Sequence, residues 1–320
     1  MPVPIYPTIP TPLVAAAAAG RIVPFVGSGI SRNCGSPDWV GFANGAVEQA
    51  LRLDLISDVE RAVLLRLAPR TALSIVSQRE DSRKIWLDYA AILHPNGMNY
   101  TADGRRIFSA LGRMASTFVT TNYDRWLDQA VAEARDDGRK MPEIVRTIIY
   151  ERETFSPEQL LQRNTVIQLH GRCTSKPSMV ISTPHYVHHY RADRLERDEE
   201  NRVLTLLRTL FRDKCVLFMG YGLGEMEILE YVVQKGLPRV TAGEPPRHFA
   251  LFGFADSQAV DADLMAEYFA GFGVGLLPFS RESGNSHIAN VLERLADTLP
   301  TREPIEAEIE HELEQLGEDF

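Results

Sequence analysis

The stretch RIVPFVGSG, residues 21–29, carries five apolar residues, Ile22 to Val26, closed by Gly27-Ser28-Gly29. A short apolar run bounded by glycines reads as a strand buried on both faces, and the glycines read as a tight turn into a helix. Strand, glycine turn and helix in that order signal a nucleotide-binding α/β unit. Upstream, a Pro-rich start gives way to Leu13–Ala19, which reads as a short helix. Downstream, strand character returns in STFVTTNYD, EIVRTIIY, TVIQLHG, SMVIST and CVLFMGYG. Each is a short β-branched or aromatic run closed by polar residues or glycine. RHFALFGF and VGLLPFS supply two more candidate strands, separated by the helical SQAVDADLMAEYFAGF. The expected fold is α/β, a Rossmann-like and mostly parallel sheet in one domain, with its core at about 13–40 and 113–300. From about 41 to 112, apolar residues recur at helical spacing in AVEQALRLDLISDVERAVLLRLA and RKIWLDYAAIL, which predicts a helical insertion. The last segment, 301–320, is an acidic tail, amphipathic at best.

With 320 residues and 44% hydrophobic content, the chain can bury one large core or a core and a small satellite, which excludes disordered and collagen-like classes. No apolar run approaches the roughly 20 residues that cross a bilayer. Ala15–Ala19 is too short, with no basic leader or cleavage pattern, so a cytoplasmic protein without membrane contact is expected. Cys34, Cys173 and Cys215 lie far apart with no CxxC pair, so neither a disulfide framework nor a thiolate zinc site is encoded. A formal charge of −9 disfavours general phosphate-backbone binding, leaving open only a local basic patch.

Four elements carry candidate chemistry. Gly27, Ser28, Gly29 and Ser31 follow the first strand, where small residues let backbone amides approach a pyrophosphate; Arg32 stands where the dinucleotide fingerprint would place a third glycine. A tight turn with no ligand is the competing reading. TTNYD, Thr120–Asp124, projects from the end of a strand, the edge at which open α/β sheets bind ligands. There the Asn122 amide can hold ribose hydroxyls or water and the Asp124 carboxylate can accept from hydroxyl or carboxamide groups; alternatively, either residue simply caps the next helix. QLHG ends another strand with His170, a base candidate at neutral pH, and Gly171, which leaves room for a substrate, against the plainer alternative of a structural histidine. Gly220, Gly222 and Gly224, with Glu225 opening the next helix, punctuate the fourth strand end as a phosphate or ribose cradle or as an ordinary connection. His185, His188 and His189 match no helical zinc spacing and read as solvated or packed. All four elements fall at strand ends, where one cleft can gather them.

These residues resemble the sirtuin family, and more closely the bacterial sirtuin-like NAD hydrolases of antiphage defence. VGSGISRNCGSPDW is similar to the family's first loop, Gly-Ala-Gly-x-Ser followed by Gly-x-Pro and an aromatic, with Ser28 in place of the alanine, Gly35 and Pro37 in the second half, and Trp39 as the aromatic. TTNYD resembles the family's Thr-Gln-Asn-x-Asp element, LHG its catalytic histidine motif, and GYGLGE its later glycine turn; the likeness spans roughly residues 13–285. The four zinc-binding cysteines of protein-deacylating sirtuins are absent, Val40 stands where an arginine is usual, and Gly222 where serine or threonine is common.

The resemblance therefore implies an NAD glycohydrolase that releases nicotinamide and ADP-ribose, with no zinc. Asn122 would orient ribose hydroxyls and water, Asp124 would bind ribose or carboxamide, and His170 would be the general base. NAD contacts would come from Gly27, Ser28, Gly29, Ser31, Pro37, Asp38, Thr121, Gly220, Tyr221, Gly222 and Glu225. It further implies NAD depletion in defence, held in check by a homo-oligomer or by a co-encoded partner such as a HerA-type ATPase. Two alternatives remain: protein deacylation or ADP-ribosyl transfer, and a sensor subunit that binds NAD or ADP-ribose without cleaving it.

Overall fold

The computed structural model describes residues 2–129, 131, 145–190, 201–221, 245–282 and 287–299. Seven strands form one sheet: β1 (Ile22–Val26), β2 (Thr117–Thr120), β3 (Thr147–Ile149), β4 (Thr165–Gln168), β5 (Cys215–Met219), β6 (His248–Phe254) and β7 (Val274–Ser280). Their order is β3-β4-β2-β1-β5-β6-β7 and every pairing is parallel. The chain places β2, β3 and β4 on one side of β1, with β4 inserted between β3 and β2, then returns to place β5 on the other, so β1 and β5 flank the point at which the strand order reverses. In open parallel sheets the crevice beyond the carboxyl ends of such strands is where ligands sit.

Both faces of the sheet are covered, which explains the nearly continuous apolar strands. Along β5, Cys215, Leu217 and Met219 point into one core and Val216 and Phe218 into the other, the two-residue alternation of a pleated strand. The first core receives α1 (Thr11–Ala18), α7 (Ala102–Met114) and the helix His287–Thr298; the second receives α9 (Arg202–Asp213) and the helix Ala259–Ala270. In α9, Val203, Leu206, Leu207, Leu210 and Phe211 are buried at helical spacing, and Asn201 caps the start by accepting from Leu204 N at 3.2 Å.

Between β1 and α7 stand α3 (Trp39–Arg52), α4 (Asp58–Leu64), α5 (Pro69–Arg83) and α6 (Tyr89–Leu93), which enclose a third apolar cluster shared with Tyr123, Cys173, Met179 and Ile181. The expected helical run 46–68 is two helices. It breaks where Asp54 takes φ 55°, and α4 restarts on a Ser57/Glu60 capping box. RKIWLDYAAIL departs from expectation in the same way: Lys84 takes φ 56° and ends α5, and Asp88 accepts from Ala91 N at 2.9 Å to start only the short α6. Glu80 is fully buried in this layer, yet satisfied by Leu87 N (2.8 Å), Tyr89 OH (2.7 Å) and Lys176 Nζ (3.3 Å). Lys176 thereby ties the loop after β4 to α5.

One expected strand is absent. Met179–Ser182 of SMVIST is a buried extended segment, with Val180 N donating to His170 O at 2.9 Å and Val180 O accepting from Tyr123 OH at 2.7 Å. Met179 and Ile181 pack into the helical layer's cluster rather than against a sheet neighbour, so the hydrophobic run reflects burial and not strand pairing. Among the described residues, no helix is long and apolar enough to cross a membrane.

Candidate active site

The turns after β1 and β5 lock into one another by backbone contact. Gly27 N donates to Met219 O and Gly29 N to Gly220 O, each at 2.8 Å. A Cβ on Gly27 or Gly29 would stand 2.7 or 2.8 Å from Gly220 O, and one on Gly220, whose φ is +74°, would stand 2.6 Å from Ile30 N. The glycines are thus required by the meeting of two turns. The Gly29 amide, expected to face a phosphate, is engaged inside the protein, and Ile30 N is turned to Gly27 O at 3.1 Å. The helix that follows, α2 (Ser28–Ser31), is a single turn.

The β2 turn is pinned against β1. Thr120 Oγ1 donates to Val26 O at 2.6 Å and accepts from Asn122 N at 2.9 Å, which fixes the Asn122 backbone at the strand end. Asn122 Nδ2 donates to Ser31 Oγ at 3.0 Å, and the Ser31 hydroxyl in turn bonds the Asp124 carboxylate. One hydroxyl therefore joins amide and carboxylate across two turns. Asp124 also accepts from Trp126 N at 3.2 Å. Burial pushes its pKa from 3.8 up to about 6, partly opposed by those two hydrogen bonds. Thr121 Oγ1 meets Tyr221 OH at 2.8 Å, so two further expected contacts are joined.

Behind this turn lies a residue that spacing did not single out. Gln168, the last residue of β4 and buried, donates from Nε2 to Asp124 O at 2.7 Å and to Asn122 O at 3.3 Å. Its Oε1 accepts from Arg172 Nη1 at 3.2 Å, and Arg172 forks onto Asp128. A polar side chain ending an otherwise apolar strand was the available signal. Cys34 and Cys173 are buried nearby and inert as nucleophiles, since burial and then Asp124 raise both thiols to about 12.

His170 is only 2% exposed. Its Nε2 lies 2.7 Å from Tyr190 OH and its Nδ1 3.4 Å from Tyr186 OH, both from α8 (Thr183–Tyr190). Its ring also faces Tyr123 at 6.3 Å and His189 at 5.9 Å between centroids. Burial, with His189 and Arg70 adding, drives its pKa well below 6.5, so the imidazole is neutral. Among its hydrogen bonds none reaches Asn122, Ser31 or Asp124; the Tyr123 ring stands beside it instead. No feature of the sequence announced Tyr186 and Tyr190, because their partner lies across the fold.

The remaining candidates take other places. Asp38 caps α3 by accepting from Gly41 N at 2.8 Å, and Pro37 packs beside that same turn. Ser28 is half-buried at the start of α2. Gly222, Gly224 and Glu225 lie outside the described residues, as does the acidic tail. His189 is packed, T-shaped against Phe155 and Tyr190, whereas the exposed His188 meets Arg152 at 2.8 Å. Among the described residues no group of three or more His, Cys, Asp or Glu side chains is placed to hold a metal ion.

Residues 116–272 match the family model of the SIR2-like domain. That stretch runs from β2 past β6 and contains Asn122, Asp124, Gln168 and His170. The match supports a place in the sirtuin-like family and fits NAD-related chemistry on this parallel α/β sheet. No curated protein matches the chain.

Proposed function

We propose that this chain binds NAD at the carboxyl edge of the sheet and hydrolyses its nicotinamide–ribose bond, releasing nicotinamide and ADP-ribose. The observation that carries the reading is the cluster that Ser31, after β1, forms with Asn122 and Asp124, after the adjacent β2; the latter two lie within the SIR2-like stretch. Cleavage of an N-glycosidic bond builds positive charge on the ribose, as in other glycoside hydrolyses. A carboxylate that is charged near neutral pH supplies the opposing charge, and an asparagine amide held by one neighbour aligns hydroxyls or water. His170 would take the proton from the attacking oxygen, a role worth about two to four orders of magnitude in rate.

The test is NAD alone with the purified chain, followed by chromatography for nicotinamide and ADP-ribose. His170→Ala and Asn122→Ala are each expected to reduce release by roughly 100-fold or more while leaving the fold intact. Unchanged release in either variant removes that residue from the mechanism. Because no protein acceptor is supplied, release also separates hydrolysis from deacylation and ADP-ribosyl transfer.

Such an activity needs restraint, and we place it in NAD depletion during antiphage defence. The exposed helical layer is a surface for a homo-oligomer or a HerA-type ATPase partner to act on. One observation favours a second reading, a sensor that binds NAD or ADP-ribose without cleaving it: both nitrogens of His170 are already engaged. The sensor predicts ligand-dependent thermal stabilisation with no nicotinamide released under any condition.

A further inference from the structure

We infer that α8 is a built-in mask over His170, with the Tyr190 hydroxyl occupying the nitrogen that would accept the substrate's proton. The inference rests on the NAD-cleavage reading for its consequence, but not for its geometry. A neutral imidazole offers one N–H and one lone pair, so it accepts a single hydrogen bond. In the structure Nε2 is 2.7 Å from Tyr190 OH and Nδ1 is 3.4 Å from Tyr186 OH. Whichever tautomer is present, no nitrogen is left for a ribose hydroxyl or a water. The side chain is also enclosed, 2% exposed among the rings of Tyr123, Tyr186, His189 and Tyr190.

The cover is a single short helix with half of its residues exposed. Of the eight residues of α8 only His189 is buried, and Val187 is 60% exposed. Polar contacts tie its backbone, Thr183 N to Ser74 Oγ at 2.9 Å and Asn201 Nδ2 to His189 O at 3.1 Å, while its rings pack on His170, Phe155 and one another, with the Arg70 guanidinium 4.2 Å above Tyr186. A two-turn helix with half of its residues exposed opens at lower free-energy cost than the whole fold. Ser74 and Arg70 belong to α5, so the helical layer touches the mask directly. A partner seated on that layer has a mechanical route to the base.

Two measurements on the full chain test this. The first is diethyl pyrocarbonate labelling read residue by residue by mass spectrometry, which needs no catalysis. His170 is expected to label at least roughly tenfold more slowly than the exposed His188, and Tyr190→Ala to bring the two within about threefold, since labelling follows the open fraction. Equal labelling in the wild type, or no acceleration in Tyr190→Ala, overturns the mask. The second is nicotinamide release by Tyr190→Phe, which keeps the ring and deletes one hydrogen bond. Release is expected to rise about 2- to 12-fold, the range a single net hydrogen bond imparts to an opening equilibrium. A fall in release overturns the mask and makes Tyr190 an aid to His170 instead. Labelling as expected with no nicotinamide from any variant upholds the mask and refutes NAD cleavage.

Discussion

Replacing Asp124 by asparagine separates what this carboxylate does for function from what it costs the fold. Asp124 is 7% exposed, and its pKa stands at about 6 against an ordinary 3.8, with burial as the chief cause. A folded-state pKa above the unfolded one means that the folded protein holds a proton the unfolded chain has lost. Stability is therefore greatest below the unfolded value and declines as pH rises through the folded one. At about 1.4 kcal/mol per pH unit, the full penalty at pH 7 is about 3 kcal/mol, of which about 2 kcal/mol develops between pH 4 and pH 7. Asparagine is neutral throughout and keeps an oxygen to accept from Trp126 N or Ser31 Oγ. Urea unfolding of both proteins at pH 4 and pH 7 gives a double difference in which every other carboxylate cancels. The variant should gain about 2 kcal/mol on the wild type across that interval while nicotinamide release collapses. A stability gap that stays within about 0.5 kcal/mol of constant would refute the argument that burial dominates Asp124.

Three other substitutions probe the frame around the site. Ser31→Ala removes both the acceptor for Asn122 Nδ2 and the hydroxyl bonded to Asp124, so the Asp124 pKa should rise further; a stability loss of about 1–2 kcal/mol is expected in urea, with a larger fractional loss in NAD turnover. Gly171→Ala imposes a side chain at φ +84° with its Cβ 2.0 Å from Ser178 O, which should lower stability by more than about 3 kcal/mol by calorimetry or leave the chain insoluble. Glu80→Ala strands Tyr89 OH and Leu87 N in the helical layer and leaves Lys176 with Asp81 and Ser77, an expected loss of about 2–4 kcal/mol in urea; a loss below about 1 kcal/mol would mean the buried carboxylate contributes little.

The sheet was readable because its strands are buried on both faces, and buried parallel strands advertise themselves as unbroken apolar runs. The same signal misled at Met179–Ser182, where burial against helices imitates burial within a sheet. Local sequence also marked the turns that hold Asn122, Asp124 and Thr121, since polar residues directly after an apolar strand have few other places to go. Gln168 belongs to no motif of its own and stands two residues from the more conspicuous His170, although a buried amide at a strand end needs partners just as much. Tyr186 and Tyr190 lay beyond reach altogether: sixteen and twenty residues from His170 along the chain, they meet it only through the packing of α8. The glycines were legible as a turn, but their reason was not, because it resides in a second turn nearly two hundred residues away.

That second turn has a consequence for anything the crevice holds. Gly27, Gly29 and Gly220 bring backbone against backbone, with the Ile30 and Tyr221 side chains packed at the junction, so the turn that leads to Ser31 cannot shift without moving the turn after β5. A bulkier or differently shaped ligand must be accommodated by side chains around the junction rather than by the junction itself. Efforts to retune the site would therefore gain most by varying those side chains, and a library that randomised the glycines would spend its members on chains whose two turns no longer close.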